Sequence, residues 1–506
     1  MKEKNVIAIT ITILLCLAYG TLFSQSWELN YHGEYSQGRT HFNFGFVDED
    51  GVTFLAGQQG PDYYTSVDLL LMRIEPDGGH SETTYHKDGF LIEAHHILET
   101  AGRQLFVVGR VFDQSNDAII VLWFDKDLNL LHESIYEKEV EGTKFERCTA
   151  TLDSHGNIIV ATAVVQPHQP IATARRGVFL KYNQHGELIN RHYLIGETDS
   201  PVYELKKFLV RQMWYRSESE QLLCLAPAYA NVMSFIVFDS AFNYIEEHPI
   251  WRETDGLALD HYLNEDCYTD HWISDDEALF FSSRGDIDHN KLRVSQVTTQ
   301  GEFTEFIQLN ERPDTIDNVA TRRCMATAND STFYFSFRES AMKLMPGTAV
   351  VYMLNDKYDI IGRYIDDEHD IFRPCLILPT SDGGCITVND SCDWDSEIRH
   401  SHPKISKLRR EDFEIVSLSV EPSTVNEPRA FPDPCTDILN IPLTGSYGEE
   451  LRCRICDYLG RIVIDQSVPD RSGTLQLDIS KLKAGAYLYQ VFTPDKTILT
   501  ERFIKK

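Results

Sequence analysis

The sequence is short of positive charge and, beyond its N-terminus, has no long apolar run. Its 47 Lys and Arg residues face 77 Asp and Glu residues, which gives a net charge of −30 over 506 residues. A surface of this sign repels phosphate groups, so nucleic acid and anionic membranes are not expected as partners. The acidity lies before Val420, because residues 420–506 carry 11 basic and 12 acidic side chains. No stretch after the N-terminal region approaches the roughly 20 apolar residues of a membrane-spanning helix.

Recognisable catalytic motifs are also lacking. The sequence contains no His-Glu-x-x-His, no Gly-x-Ser-x-Gly and no glycine-rich phosphate loop. These absences exclude assignment of a metalloprotease, an α/β-hydrolase or a P-loop enzyme from motifs alone. We therefore assign no catalytic and no cofactor-binding residue from the sequence.

Three acidic clusters offer the oxygen ligands that calcium prefers. Their members are Asp286, Asp288 and Asn290; Asp366, Asp367, Glu368 and Asp370; and Asp390, Asp393 and Asp395. None has the spacing or the glycine of an EF-hand loop, so solvated loops are the favoured interpretation and calcium is the alternative. The stretch "DHYLNEDCYTDHW", residues 260–272, concentrates zinc-type ligands, but its spacing matches no standard site. It is interpreted as a surface loop, and no metal ligand is assigned.

Tryptophan and cysteine each leave alternatives open. Trp251, Trp272 and Trp394 could stack on sugar rings if they are exposed, although large apolar side chains in a β protein are more often in the core. An exported chain meets oxidising conditions, so some of the cysteines could form disulfides, but their pairing cannot be read from the sequence. The "CRIC" stretch at Cys453 and Cys456 lies in a strand pattern, which favours ordinary half-buried thiols over a redox motif.

The N-terminus has the layout of a secretory signal peptide. Lys2 and Lys4 precede an apolar run from Val6 to Leu17, and small and polar residues follow up to Ser24. This run is short for a membrane span, so residues 1–24 are predicted to be a signal peptide and a retained anchor is the alternative. The sequence therefore predicts export, and no transmembrane segment after signal removal.

One unit recurs seven times: a short strand, a loop, and a very apolar partner strand that stops at an Asp, Asn or Gly turn. The first strands are "GVTFLAGQQG", "RQLFVVGRVF", "GNIIVATAVV", "QLLCLAPAYA", "EALFFSSRGD", "STFYFSFRES" and "GGCITVNDSC". Successive units are 52 to 65 residues apart, which suits a four-stranded antiparallel sheet. Glycines at positions 78, 186 and 301 offer the positive φ that tight hairpins require.

The apolar strands favour a ring of sheets. "AIIVLWF", residues 118–124, is apolar at every position, which a sheet wet on one face would not tolerate. Blades packed face to face around an axis cover both faces and dispose of exposed edges. We therefore predict an all-β chain in which residues 25–418 form a seven-bladed β-propeller. Six or eight blades are alternatives, and the last blade could be completed by "SWELNYHG" or by "FEIVSL".

These repeats resemble, in pattern only, the delta-60-type propeller repeats of bacterial surface proteins. WD40 repeats are disfavoured because no Gly-His to Trp-Asp pairing recurs, and kelch repeats because double glycines occur in only two units. The resemblance implies an extracellular propeller and names no ligand.

After Ser419 the composition of the sequence changes. Four prolines, at positions 422, 428, 432 and 434, deny the backbone the donors that a strand ladder needs. Residues 419–430 are therefore predicted to be a linker. Short alternating strands then resume at "FPDPCTDILNI", and residues 431–506 are predicted to form a small Ig-like β-sandwich.

The motifs of this last segment resemble a known family. "FPDPCTDILNI", "DYLGRIVI", "LDISKLKAGAYLYQV" and the terminal "RFIKK" are similar, in the same order, to the type A sorting domain of type IX (Por) secretion cargo in Gram-negative bacteria. The residues that match the sorting motifs are Pro432, Pro434, Gly460, Arg461, Gly485 and Tyr487. Asp433, Cys435 and Ala486 depart from the usual pattern. The resemblance implies that the type IX machinery is a partner, and that the cargo is secreted or attached to the outer cell surface after passing through the periplasm.

Two functions follow as hypotheses for the propeller. The preferred one is a binding or scaffold module for a glycan, peptide or surface partner. The alternative is a secreted hydrolase of glycans or peptides with carboxylates at the channel mouth, since propellers host such chemistry. Paired carboxylates in one apolar-walled cleft would favour the enzyme, whereas scattered solvated acids would favour binding.

Overall fold

The structure is a computed structural model, and almost every residue that it describes lies in a strand or a tight turn. The described residues are 26–33, 38–61, 68–113, 115–138, 143–165, 175–194, 210–227, 233–250, 271–274, 276–285, 290–308, 317–319, 325–329, 332–340, 347–356, 359–393, 400–415, 435–443, 451–457, 461–468, 473–483, 485–493 and 497–506. Within them there is no α-helix, and one 3-10 turn covers Arg410–Asp412. The chain divides into two compact units, Met1–Val416 and Ser417–Lys506.

The N-terminal unit is a series of antiparallel sheets, which we number as repeats 1 to 7. A first strand, β1 (Trp27–Asn30), precedes repeat 1, which contains β2 (Arg39–Val47), β3 (Thr53–Gly60), β4 (Asp68–Ile74) and β5 (His80–Tyr85). Repeat 2 contains β6 (Leu91–Glu99), β7 (Leu105–Phe112), β8 (Asp117–Phe124) and β9 (Leu130–Glu137). Repeat 3 contains β10 (Lys144–Phe145), β11 (Thr149–Leu152), β12 (Ile158–Val165), β13 (Arg175–Tyr182) and β14 (Leu188–Tyr193). Repeat 4 contains β15 (Gln212–Arg216), β16 (Gln221–Pro227), β17 (Met233–Asp239) and β18 (Tyr244–Pro249).

The remaining repeats continue the same order. Repeat 5 contains β19 (His271–Ser274), β20 (Glu277–Gly285), β21 (Asn290–Thr298) and β22 (Phe303–Gln308). Repeat 6 contains β23 (Asp317–Val319), β24 (Met325–Asn329), β25 (Thr332–Ser340), β26 (Gly347–Asn355) and the first part of β27 (Ile360–Pro379). Repeat 7 contains the second part of β27, β28 (Cys385–Asp393) and β29 (His400–Leu408). The single long strand β27 pairs with β26 first and with β28 afterwards, so it joins two repeats.

All seven predicted strand pairs form antiparallel hairpins, and these are β3–β4, β7–β8, β12–β13, β16–β17, β20–β21, β25–β26 and β28–β29. The apolar strand β8 is buried at every one of its eight residues, as the sequence pattern required. The reason is that neighbouring sheets pack face to face, so the middle strands of a repeat meet apolar side chains on both sides. Alternate residues of β8 accordingly enter two different cores. Ile120 and Leu122 pack against repeat 1, while Ile119 and Val121 pack against repeat 3.

The first and last repeats also share a core. Phe42, Leu55 and Leu70 of repeat 1 pack with Val388 and Ile405 of repeat 7. Strand β1 pairs antiparallel with β29 and so lies on the outer side of repeat 7. Of the two predicted ways to complete the last sheet, the structure contains the one that uses the N-terminal segment. In the other segment the structure describes residues 413–415, where Glu414 forms a bridge with Arg363.

At one edge of the sheets, strands are connected by five-residue turns of one type, and we call this edge the turn edge. In this turn the first residue accepts a hydrogen bond from the fourth and donates one to the fifth, as Asp48 does with Gly51 and Val52. The fourth residue has a positive φ, which is 91° at Gly78, 88° at Gly186 and 86° at Gly301. The three glycines predicted to need this conformation therefore have it, and the prediction is confirmed.

Asp153 anchors one of these turns while almost completely buried. Its carboxylate accepts hydrogen bonds from the backbone N–H groups of His155 and Asn157 at 2.9 and 2.8 Å, and Lys181 Nζ lies 2.8 Å away. Burial alone would raise the pKa of Asp153, but the hydrogen bonds from Lys181 and Asn157 outweigh burial and lower the pKa. The charged form is therefore the one that the fold stabilises.

We expect Asp153→Ala to lower the free energy of unfolding by about 3 kcal/mol, because the variant removes a buried carboxylate and leaves the partly buried Lys181 without its partner. Urea unfolding measures the loss. The matched control is Asp125→Ala, which removes the same turn contacts to Asp127 and Asn129 from a more exposed position and should cost about 1 kcal/mol. Equal losses in the two variants would contradict the role of Lys181.

The same contact has a defined pH dependence. A carboxyl whose pKa is lower in the folded state stabilises the protein above its unfolded pKa, roughly 3.9, and the stabilisation is lost as the pH falls through the folded value. The stability difference between the native chain and Asp153→Asn should therefore be constant near neutral pH and shrink below about pH 4. A difference that persists unchanged into strong acid would show that the charge of Asp153 is not what stabilises this turn.

The C-terminal unit consists of two sheets that share one core. Its strands are β30 (Ile438–Leu443), β31 (Leu451–Asp457), β32 (Ile462–Val468), β33 (Gly473–Asp478), β34 (Gly485–Phe492) and β35 (Thr497–Lys505). Strands β30 and β33 form one sheet, and the other has the order β32-β31-β34-β35. Leu439 and Leu477 of the small sheet pack against Ile455, Tyr489 and Phe503 of the larger one.

Candidate functional site

The two edges of the repeat sheets differ in chemistry. The turn edge carries the tight turns and is held together by ion pairs between neighbouring repeats, such as Lys126 with Asp48 at 2.8 Å and Arg73 with Asp127 at 3.0 Å. We call the opposite edge the loop edge. It carries the loop of the apolar hairpin in each repeat and the connections from one repeat to the next. Buried charged side chains occur at the loop edge as well, for example Asp117.

The most extensive described group of loop-edge charges joins repeats 2 and 3. Arg110 forms two hydrogen bonds with the Asp117 carboxylate, from Nε to Oδ1 at 3.0 Å and from Nη2 to Oδ2 at 2.6 Å. Its Nη1 is 4.0 Å from Glu93 Oε2, and the same oxygen is 3.4 Å from His95 Nε2. The backbone N–H of Cys148, in repeat 3, donates to His95 Nδ1 at 3.2 Å. Because Nδ1 accepts, the ring proton lies on Nε2 and points to Glu93.

The protonation states of this group are set by burial and by its ion pairs. Burial lowers the pKa of His95, which is therefore neutral at pH 7. Burial would raise the pKa of Glu93, but the hydrogen bond from His95 and the charge of Arg110 outweigh it and lower the pKa. Burial also raises the pKa of the Cys148 thiol to about 12, so this cysteine is no thiolate nucleophile. The group is a fixed network of paired charges that ties two repeats together.

A second buried charge group contains Asp366, a member of one of the three acidic clusters for which calcium was the alternative interpretation. Lys404 Nζ lies 2.7 Å from Asp366 and 3.1 Å from Glu28, and the lysine side chain is 2% exposed. Asp366 is thus neutralised by a lysine, which is the opposite of what a cation site needs. Asp390 is buried, and the side chains of the other members of the three clusters lie outside the described residues. The described part of the chain contains no group of three His, Cys, Asp or Glu side chains placed to hold a metal ion.

A cavity of about 560 Å³ opens at the turn edge, between the innermost strands of repeats 4 and 5. The residues that line it are Trp214, Tyr215, Arg216, Ser217, Glu218, Ser219, Leu223, Trp272 and Ser274. The ring centroids of Trp214 and Trp272 are 5.1 Å apart, and the ring planes are nearly perpendicular at 84°. This is the edge-to-face arrangement that aromatic pairs prefer. Aromatic surface of the two indoles forms part of the cavity wall.

Both tryptophans are held by the sheets behind them. Trp214 pairs with Leu223 across β15 and β16, and Trp272 pairs with Ala278 across β19 and β20. Phe235 lies behind the pair, with its ring centroid 6.2 Å from that of Trp272. The two indoles pack on the core between repeats 4 and 5 and are only partly buried. The cavity wall is therefore a rigid aromatic surface rather than a flexible loop.

Polar groups frame this wall. Arg216 Nη2 is 3.5 Å from Asp276 Oδ1, a long ion pair that spans the two repeats. Ser217, Glu218 and Ser219 belong to the exposed turn between β15 and β16. The indole N–H of Trp272 is buried and meets no acceptor among the residues that the structure describes.

The sequence anticipated only half of this site. Trp272 was a candidate for sugar stacking, and the structure places it at the cavity. Trp214 was missed, although it occupies the innermost strand of repeat 4 as Trp272 does in repeat 5. That shared position in successive repeats was the signal available. Trp251 and Trp394 lie outside the described residues, as does most of the stretch 260–272.

The sorting motif lies in the C-terminal unit and is partly described. The Tyr487 ring is stacked on that of Phe503 at 5.5 Å, and its hydroxyl donates to the Lys483 carbonyl at 2.8 Å. Gly485 begins β34 opposite Lys505, and Arg461 is exposed just before β32. Pro432, Pro434 and Gly460 lie outside the described residues. Tyr487 thus has a packing role within this unit.

The cysteines with described side chains are free thiols, and most of them are buried. Cys435 and Cys453 lie in the core of the C-terminal unit, and Cys456 is partly exposed. None of the described cysteines forms a disulfide. The interpretation of "CRIC" as ordinary strand residues agrees with this placement. Burial raises the pKa of Cys453 to about 12, which makes it unreactive.

The C-terminal segment of the chain matches a known family. Residues 429–506 match the family described as the secretion system C-terminal sorting domain, which confirms the predicted sorting domain. The match indicates a protein that is secreted by the type IX system and attached to the cell surface. No curated protein matches the chain. In the described residues there is no helix with the length and apolar character needed to cross a bilayer.

Solved structures with detectable similarity are distant. An extracellular domain of a hybrid two component system from B. thetaiotaomicron is 10% identical over 96% of this chain, which spans 59% of that protein, with a TM-score of 0.40. The polysaccharide lyase Uly1 is 10% identical over 73% of this chain and 90% of its own, with a TM-score of 0.45. An alpha-L-arabinanase from Penicillium chrysogenum, complexed with arabinobiose, is 10% identical over 67% of this chain and 100% of its own, with a TM-score of 0.42. Similarity at this level says nothing about activity.

Proposed function

We propose that this chain is an exported surface protein in which a closed seven-bladed propeller binds a ligand and a detachable tail directs secretion. Residues 1–24 are the signal peptide, residues 25–418 the propeller and residues 419–430 the linker. Residues 431–506 are an Ig-like β-sandwich that the type IX machinery recognises. The protein then resides on, or is released from, the outer surface of a Gram-negative cell. The delta-60 type of the repeats and a role for calcium stay predictions.

The packing of the repeats supports a closed ring of seven blades. Separate cores lie between repeats 1 and 2, 2 and 3, 3 and 4, 4 and 5, 6 and 7, and 7 and 1. The last of these brings the end of the series back to its beginning. Strand β1 strengthens the joint, because a sheet completed by the N-terminal strand links the two ends of the unit.

The cavity formed by Trp214 and Trp272 carries the binding function. Its volume lies within the range of about 300–1,000 Å³ that is usual for small-ligand sites. Its walls are apolar and aromatic, with a few polar groups at the rim, which is the composition that such sites share. Rigid strands support both indoles, so little conformational entropy is lost when a ligand binds.

A hydrolase is supported less well than a binding module. A glycan hydrolase needs a carboxyl group with a raised pKa to act as the general acid. Among the described residues, every carboxyl with a resolved shift has a lowered pKa; these are Glu93, Asp113, Asp125, Glu133, Asp153, Asp239, Asp382, Asp465 and Asp478. They are held ionised by hydrogen bonds or by basic neighbours. Glu93 and Asp117, which approach one arginine, share it as partners in an ion-pair network.

The test is a binding and turnover screen of the purified chain against a glycan array, a peptide panel and chromogenic glycosides. We expect ligand capture without turnover, and loss of capture in Trp214→Ala. The control is Ile189→Ala, which changes an exposed residue on an outer strand and should leave binding intact. Turnover of a chromogenic substrate, or capture that Trp214→Ala leaves unchanged, would contradict the proposed function.

A further inference from the structure

We infer that the tryptophan cavity between repeats 4 and 5 recognises an uncharged oligosaccharide. This inference rests on the proposed binding function and names the chemical class of the ligand. It depends on three properties of the cavity: its charge balance, its aromatic wall and the placement of its hydrogen-bonding groups.

The charges around the cavity favour an uncharged ligand. One basic residue, Arg216, and one acidic residue, Glu218, line it, so the lining itself is neutral. A cationic ligand would meet the Arg216 guanidinium, which an aromatic cage for ammonium groups would not contain. An anionic ligand would approach a protein with a net charge of −30. Neither sign of charge is therefore selected.

The shape of the aromatic wall suits a pyranose or furanose ring. A sugar ring presents a face of C–H groups and a periphery of hydroxyl groups. Trp214 and Trp272 offer flat apolar surface for such a face, and their near-perpendicular rings form a corner rather than a slot. The volume of about 560 Å³ has room for more than one ring.

The polar rim supplies partners for hydroxyl groups. Ser217, Ser219 and Ser274 can donate and accept, Arg216 can donate, and Glu218 can accept. A ligand with closely spaced hydroxyl groups uses both kinds of partner at once. A purely apolar ligand would leave these groups without compensation for their lost water.

The experiment is a fluorescence titration of the full chain with four classes of probe. The classes are neutral oligosaccharides (cellotriose, xylotriose, maltotriose and arabinotriose), an acidic one (trigalacturonate), a cation (choline) and a peptide (oligoproline). We expect a neutral oligosaccharide to quench tryptophan emission and to bind at least tenfold more tightly than trigalacturonate, choline or oligoproline. Trp214→Ala should weaken that binding about tenfold or more, which corresponds to about 1.4 kcal/mol, while Ile189→Ala should not change it.

A further variant guards against misfolding. Trp272→Phe keeps an aromatic ring but reduces the flat aromatic surface at the cavity, and it should weaken binding severalfold while the melting temperature stays near that of the native chain. Binding of trigalacturonate, choline or oligoproline that depends on Trp214 would overturn the carbohydrate inference and leave the proposed binding function standing. Failure of all probes to bind in a Trp214-dependent way would overturn both.

Discussion

A chain that lacks residues 420–506 should be absent from the cell surface and accumulate inside the cell envelope. These residues contain the whole segment that matches the secretion sorting family, and they belong to a compact unit with its own core. Removal of residues 420–506 leaves the sheets of the N-terminal unit complete, because the strands and core clusters of that unit end before residue 417. Protease accessibility on whole cells and immunoblotting of periplasmic fractions measure the redistribution. We expect loss of nearly all surface signal.

A matched pair of point variants separates recognition from mere presence of the tail. Tyr487→Ala removes a ring that is stacked on Phe503 in the core of a small domain, and should cost about 3 kcal/mol. Tyr487→Phe keeps the ring and loses one hydrogen bond, to Lys483, for about 1 kcal/mol. Export should fail in the first variant and continue in the second. Surface exposure that survives the deletion of residues 420–506 would remove the sorting function altogether.

The sequence predicted the local features of the fold well because their causes are local. A positive φ is needed at the fourth residue of a five-residue turn, and glycine is the residue that adopts it most easily, so Gly78, Gly186 and Gly301 could be placed in turns from the printed sequence. The continuous apolar run of β8 likewise predicted a strand covered on both faces. Leu128 and Phe242 occupy the same position in other turns with positive φ, and these turns carry no glycine as a signal.

The candidate site was harder to predict because its parts are distant in sequence. Trp214 and Trp272 meet only because repeats 4 and 5 pack face to face, and neither residue belongs to a motif. The contact between His95 and Cys148 also depends on the packing of two repeats, because the two residues belong to different repeats. Pairing of β1 with β29 also depends on the return of the series to its start, which no local pattern encodes. The match to the sorting family, by contrast, depends on short motifs within one small domain.

Removing strand β1 should destabilise the whole N-terminal unit. Trp27 Nε1 donates to the Pro76 carbonyl at 3.1 Å, and its ring lies so close to Gly78 that an added Cβ there would approach to 2.9 Å. Strand β1 thus contacts repeat 1 through Trp27 while it pairs with β29 of repeat 7. We expect Trp27→Ala to lower the free energy of unfolding by about 3 kcal/mol, measured by urea denaturation.

Deletion of residues 26–33 should cost more than that substitution, because it also exposes the backbone edge of β29 and removes Glu28 from the buried Lys404. The matched control is Leu131→Ala, on the outer strand of repeat 2, where the side chain is half exposed and the change should stay within about 0.5 kcal/mol. In the proposed closed ring the repeats unfold as one cooperative unit only while the two ends are joined, so the deletion should also broaden the unfolding transition. If Trp27→Ala and Leu131→Ala unfold at the same urea concentration, β1 is an accessory strand that does not stabilise the N-terminal unit.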